Sequence, residues 1–209
     1  TLSSSSAASD VYKRQMYWFG ENSKRRFDDF RPEVHDSDGL LVKMANGEKL
    51  WRPLTNDTGR LEFSFLAADH VAGFGLLQRD RRFSAYEDGE AAYHLRPSVW
   101  IEPTNDWGAG KVMLMEIPTT RELDDNIVAT WVPDATPQPG QRVEFSYRQH
   151  WTLAEDVAQS GGLVVATRTG VHEWQPEQRT MIVEYAGGKL DEITAVSYTH
   201  LRAHETEAD

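Results

Sequence analysis

The sequence predicts an all-β protein built as an antiparallel β-sandwich. Short apolar runs recur at about 10–15-residue spacing, the rhythm of consecutive antiparallel strands. Proline, glycine and Asn-Asp loops separate them, and no stretch of helical period intervenes. Between two of the runs lies Asn46-Gly47, a strong hairpin-turn dipeptide.

The elements follow in order. Residues 16–20 (MYWFG) read as a short aromatic strand and residues 21–29 as a charged loop. Residues 40–44 and 49–51 flank the Asn46-Gly47 turn. Residues 61–66 (LEFSFL) alternate as a strand with one buried face. Residues 73–78 (GFGLLQ) form a strand whose glycines mark close backbone approach or a bulge. Residues 80–93 hold a short helix or an ordered loop. Strands at 98–102, 112–118, 127–132 and 143–149 complete the series. From 153 to 179 the chain reads as a linker, and 180–185 (TMIVEY) begins a further β domain that occupies residues 180–195.

Both ends read as foreign to this pattern. Residues 1–15 are Ser-rich and aperiodic, residues 196–209 polar and equally aperiodic. The sandwich itself is assigned to residues 16–152. Because residue 16 opens in mid-strand, the chain is expected to be an internal piece of a longer protein, with a signal peptide upstream. Without its upstream strands it is expected to expose tryptophans and long aliphatic side chains along one sheet face or edge. Made alone, it is expected to be insoluble or molten, and inactive.

Composition narrows the function. The 209 residues carry 22 basic and 33 acidic side chains, a net charge of −11, which argues against a nucleic-acid partner. There is no cysteine, so neither a disulfide framework nor a thiolate metal site is available. No apolar run reaches the ~18–20 residues of a membrane span. The seven histidines show no HxH or HExxH spacing, and no metal or cofactor is expected. Gly-x-Ser-x-Gly and phosphate-cradling glycine loops are absent too.

The densest chemistry lies in residues 30–54. Arg31, Glu33, His35, Asp36, Asp38, Glu48, Trp51 and Arg52 crowd into about two strands' length. Carboxylates and arginines reach hydroxyls in directed pairs, and an indole covers the apolar face of a ring. That mixture suits a groove for a polar, ring-shaped ligand; an exposed turn at HDSDG is the plainer reading. Arg79, Arg81 and Arg82 in QRDRRF read equally as a solvated turn or as hydroxyl donors. Trp107, in the loop NDWGAG, is the best stacking candidate, whereas Trp131 and Trp151 read as core. Asp124 and Asp125 sit in a loop at a strand's mouth. A second carboxylate, Asp36, could complete the acid–base pair of glycoside hydrolysis.

Six blocks then match a known family in order and spacing. RPEVHDSDGL, NGEKLWRPL, GFGLLQRDRRF, LRPSVWIEP, DWGAGKVMLMEIPT and DDNIVATWVP closely resemble the periplasmic glucans biosynthesis protein G/D family. The likeness runs from about residue 16 to 151. It implies the C-terminal part of a galactose-mutarotase-like β-sandwich, followed by the start of an immunoglobulin-like domain. It further implies a Gram-negative periplasm, β-1,2-glucan as partner, and glucan synthase or export machinery as a further one. By this resemblance the full-length parent acts as an inverting endo-β-1,2-glucanase, with Asp125 as general acid and Asp36 as general base. Arg31, Glu33, His35, Trp51, Arg52, Gln78, Arg79, Arg81, Arg96, Trp107 and Asn126 become substrate-binding candidates. The chain departs from the family at Asp124, where Asn is usual, and at Lys49 and Thr130, where aromatics are common. The alternative is a non-catalytic glucan-binding or scaffolding protein that uses the same groove.

Overall fold

The computed structural model describes residues 12–23, 28–55, 59–153, 163–172 and 175–186. It divides into two units, residues 1–157 and 158–209. In the first unit two antiparallel five-stranded sheets face each other. One sheet has the order β2-β1-β9-β8-β5, formed by β1 (Tyr12–Phe19), β2 (Val34–His35), β5 (Glu62–Ala68), β8 (Gly110–Glu116) and β9 (Asp125–Pro133). The other has the order β10-β7-β6-β3-β4, formed by β3 (Gly39–Met44), β4 (Lys49–Pro53), β6 (Val71–Leu77), β7 (Ser98–Pro103) and β10 (Tyr147–Thr152). In the second unit β11 (Leu163–His172) and β12 (Gln175–Ala186) form an antiparallel hairpin. Among the described residues almost no helix is present. A four-residue helix, α1 (Phe83–Tyr86), and a 3-10 turn at Tyr93–Leu95 punctuate the loop between β6 and β7. No described helix is long and apolar enough to cross a membrane.

The core follows from period-2 alternation. On β8, Val112 and Leu114 are buried while Lys111, Met113 and Met115 are only partly so. On β3, Leu40, Val42 and Met44 point the same way. These two rows meet with Phe74, Leu76, Val99, Ile101, Ile127 and Trp131 in one apolar cluster. Gly110 makes room for Trp131: a Cβ there would lie 2.5 Å from the indole Cζ2. Gly47, at φ +93°, supplies the left-handed turn between β3 and β4 that Asn46-Gly47 predicts.

Several expectations need correction. Strand β1 begins at Tyr12, four residues before the predicted start, because Tyr12–Gln15 continue the ladder against β9. Val34–His35 form a strand the sequence did not signal. Residues 143–146 lie outside β10, whose ladder against β7 starts at Tyr147. The stretch read as linker holds β11, and β12 starts at Gln175. Trp151 is 63% exposed, not core, because β10 is an edge strand. An edge strand of the opposite sheet, β5, presents Phe63 and Phe65, which stack at 6.3 Å. Most of residues 1–15 and all of 196–209 lie outside the described residues.

Trp131 is 1% exposed and sits where both sheets converge. Trp131→Ala should lower unfolding free energy by about 3–5 kcal/mol, the usual cost of such a cavity. Urea denaturation monitored by circular dichroism measures it.

Candidate functional site

Asp36 and Asp125 meet across strand β1. The Asp36 N–H donates to the Met16 carbonyl (3.4 Å), and Met16 is in register with Asp125. The two aspartates therefore stand abreast with one strand between them, two interstrand spacings or about 10 Å apart at Cα. Asp36 is largely enclosed and pairs with Arg96 at 3.5 Å. The Arg96 guanidinium lies 4.2 Å from the Tyr93 ring centroid. Asp125 is exposed, and among the described residues its carboxylate has no hydrogen-bond or ionic partner.

A bulge aims Asp125. The register passes from Gln15↔Ile127 to Met16↔Asp125, so Asn126 is the extra residue on β9. Asn126 is buried, and its carboxamide replaces the missing ladder bonds. Its Oδ1 accepts from the Tyr17 N–H and its Nδ2 donates to the Tyr17 carbonyl, each at 2.8 Å. Next to it, Thr119 Oγ1 donates to Asp124 Oδ2 at 2.8 Å, which ties Asp124 into the preceding loop.

Arg31 clamps three segments around this rim. Its guanidinium pairs with Asp29 (2.8 Å), Asp88 (2.8 Å) and Glu122 (2.9 Å). Tyr93 Oη adds a bond to Glu122 Oε1 at 2.8 Å. Bonding to Arg31 is the main cause that holds the Asp29, Asp88 and Glu122 carboxyls below their usual range. Arg52 is committed likewise, to Glu116 at 2.7 Å and to Ser64, joining the two sheets. Burial pushes Glu116 up, while the bond from Thr55 and the charge of Arg52 oppose it.

Behind Asp36 lies a buried polar knot. His35 is 1% exposed, with Nε2 2.7 Å from Glu33 Oε2 and Nδ1 3.2 Å from Gln78 Oε1. Its ring stacks on Tyr17 (5.2 Å) and meets Tyr86 edge-on (5.3 Å). Asp38 Oδ1 approaches Nε2 at 3.7 Å, while Asp38 Oδ2 accepts the Arg79 and Asp80 N–H groups. Glu33, His35 and Asp38 thus bring ligand-type atoms within 4.8 Å of one another. Both imidazole nitrogens, however, are already committed to hydrogen bonds.

These observations meet a family comparison. The family model described as "Periplasmic glucan biosynthesis protein, MdoG" matches residues 14–208. The chain belongs to that family. It is 47% identical over 184 residues to glucans biosynthesis protein D 2 of Ralstonia nicotianae, covering 85% of this chain and 34% of the relative. It is 53% identical over 141 residues to glucans biosynthesis protein G of Pseudomonas aeruginosa, covering 68% of this chain and 27% of the relative. To glucans biosynthesis protein D of Xylella fastidiosa it is 45% identical over 186 residues, covering 87% and 34%. The chain spans about a quarter to a third of the length of these relatives. The matched range takes in residues 196–208, which the sequence alone sets apart.

Within this glucan biosynthesis family member, the candidate residues separate into groups. Asp36, Arg96 and Asp125 gather at one rim. Trp51 and Arg79 form a partly exposed cation–π pair (5.2 Å) beside Asp38. Trp107 must be corrected as a stacking platform. It is 7% exposed, packs on Phe74, Trp131 and Phe145, and bonds through Nε1 to Asn105 and the Ser146 carbonyl. Gly108, at φ +72°, lets the loop fold it inward. His35, Gln78 and Asn126 are buried behind the rim, so none of them presents a side chain to a ligand. Arg31, Glu33, Arg52 and Arg81 are engaged by protein groups, Arg81 by the Arg96 carbonyl (2.7 Å) and Ser98. Sequence reasoning gave no role to Asp88 or Phe30. Phe30 is 82% exposed with the Arg31 guanidinium 5.8 Å from its ring centroid, an accessible aromatic at the clamp. Its place at the head of RPEVHDSDGL was the available clue.

The clamp has a pH signature. Asp29, Asp88 and Glu122 have depressed folded pKa values, so their stabilisation is present above the unfolded carboxylate value of ~4 and lost as pH falls through the folded values. Arg31→Ala should destabilise the fold by about 3 kcal/mol at neutral pH and flatten the acid limb of the stability profile. Thermal melts between about pH 3 and 7 check both effects.

Proposed function

We propose that this chain contributes the acid–base pair of a β-1,2-glucan hydrolase that works with inversion. The observation that supports it is the placement of Asp36 and Asp125 abreast with one strand between them. Inverting enzymes hold their two carboxyls ~6.5–9.5 Å apart, leaving room for a water. Side chains leaning inward from Cα atoms about 10 Å apart reach that range. Asp125, exposed and free of protein partners, protonates the departing glycosidic oxygen. Asp36, oriented by Arg96, takes the proton of the attacking water, directly or through a relay. Phe30 and the Trp51–Arg79 pair offer the apolar faces on which pyranose rings stack. Under this reading the protein acts in the periplasm on β-1,2-linked glucan, beside the synthesis or export machinery.

One observation favours the non-catalytic alternative. A general acid works best where burial or a neighbouring charge keeps it protonated, and Asp125 stands in the open. A glucan-binding or scaffolding protein needs no such environment. A reducing-end assay on linear β-1,2-glucan, with the protein at the full length of its relatives, separates the two. Asp125→Asn should abolish cleavage while glucan affinity stays within a few-fold, about 1 kcal/mol or less. Near-normal turnover by this variant would refute the acid assignment. Binding without any turnover by the unaltered protein supports the scaffold.

A further inference from the structure

We propose that His35 is a positioning residue for Asp36 and acts as a buried, doubly protonated imidazolium locked between Glu33 and Gln78. The inference rests on the reading of Asp36 as general base. Its charge state follows from hydrogen-bond directions. The Gln78 Nε2 faces two backbone carbonyls, those of His35 (3.4 Å) and Tyr93 (3.2 Å), which can only accept. The Gln78 Oε1 is therefore the atom turned to the ring, and His35 Nδ1 must donate to it. On the other side Nε2 faces Glu33 Oε2, which already accepts the Glu21 N–H at 3.3 Å. Nε2 thus faces carboxyl oxygens of both Glu33 and Asp38 (3.7 Å), and an imidazole holds a shared proton in preference to a carboxylate, so Nε2 donates as well. Two donating nitrogens make an imidazolium.

The surroundings favour the charge. Glu33 and Asp38 come from its own segment, Glu21 from the turn after β1 and Asp80 from the turn after β6. Tyr17 and Tyr86 close the two ring faces. Burial alone would strip the proton, but the Glu33 bond, the Asp38 and Glu33 charges and Gln78 outweigh it and raise the His35 pKa. Burial also pushes Asp38 and Glu21 up. Because the folded His35 pKa is raised, its stabilisation is complete below the unfolded value of ~6.5 and lost as pH rises through the folded one. The raised values of Asp38 and Glu21 act in the same sense.

The link to Asp36 is mechanical. Strand β2 has only two residues, with a register shift between its two pairs, so its ladder holds it weakly. Its position depends on His35: stacked on Tyr17 of β1, bonded to Gln78 at the end of β6, paired with Glu33. Asp36 is the next residue. Losing the imidazolium would leave Glu33 and Asp38 repelling each other across the ring and release the segment that carries the base.

The test uses the protein at the full length of its relatives, labelled with 15N-histidine. NMR should show both His35 nitrogens protonated at neutral pH, persisting above the ordinary imidazole value of ~6.5. Glu33→Gln should lower the His35 midpoint by about one pH unit or more, with the fold retained. His35→Gln should reduce kcat on β-1,2-glucan by about 10- to 100-fold with KM little changed, and alter the pH–rate profile at high pH, where the imidazolium is lost, without removing the limb set by Asp125. An unprotonated ring nitrogen at neutral pH overturns the proposal, as does displacement of the proton signals by added Zn2+ or Ca2+. An unchanged kcat and profile for His35→Gln also overturn it. Full activity of Asp125→Asn beside an intact imidazolium signal refutes the hydrolytic reading and leaves the charge state standing.

Discussion

The paired hydrogen bonds between the Asn126 carboxamide and the Tyr17 peptide fix the rim of this sandwich. A bulge at that point deprives β1 of its regular partner, and a side chain restores both bonds at 2.8 Å. Tyr17 thereby becomes the reference for its neighbours. Its ring stacks on His35, its Oη donates to the Leu54 carbonyl across the sandwich, and Met16 beside it separates the two aspartates. An alanine in place of Asn126 would leave two buried peptide groups unpaired, which costs more than the bonds themselves contribute.

Around that reference the charged side chains mostly serve one another. Arg31 binds three carboxylates, Arg52 joins the sheets through Glu116, and Arg81 braces the loop carrying Arg96. Partly buried charges require such partners, because desolvation without pairing is costly. Under the proposed reading the glucan meets Asp125, the Asp36–Arg96 pair and a few partly exposed aromatic faces. A net charge of −11 does not alter this, since the charges that matter lie at the rim and their surroundings set their state.

Two opposed electrostatic groups share the rim. The Arg31 clamp stabilises through carboxylates held ionised, whereas the His35 knot stabilises through a held proton. The first weakens in acid and the second in base, so the rim is firmest between them. Both lie within a few residues of the aspartates: Glu122 precedes Asp125 by three positions and His35 adjoins Asp36. The geometry of the pair and the stability of the rim therefore share the same groups.

The sequence by itself determined what local pattern can determine. Alternation along residues 110–116 sets one face of β8 toward the core, and Asn46-Gly47 sets the hairpin, because side-chain period and turn torsions are properties of neighbouring residues. Six motif blocks placed the chain in its family and put Asp36 and Asp125 on the page together. Tertiary structure decided everything that depends on which strand lies beside which. Trp107 has the local setting of an exposed loop residue, yet it fills the core because the chain turns inward at Gly108 beneath Phe74 and Phe145. Arg31 has the composition of a sugar ligand, yet Asp88 and Glu122, 57 and 91 residues away, occupy it. His35 lies in a turn-like sequence, and only burial between Tyr17, Tyr86 and Gln78 makes it a structural cation. A side chain's type is local; its partners are brought by the fold.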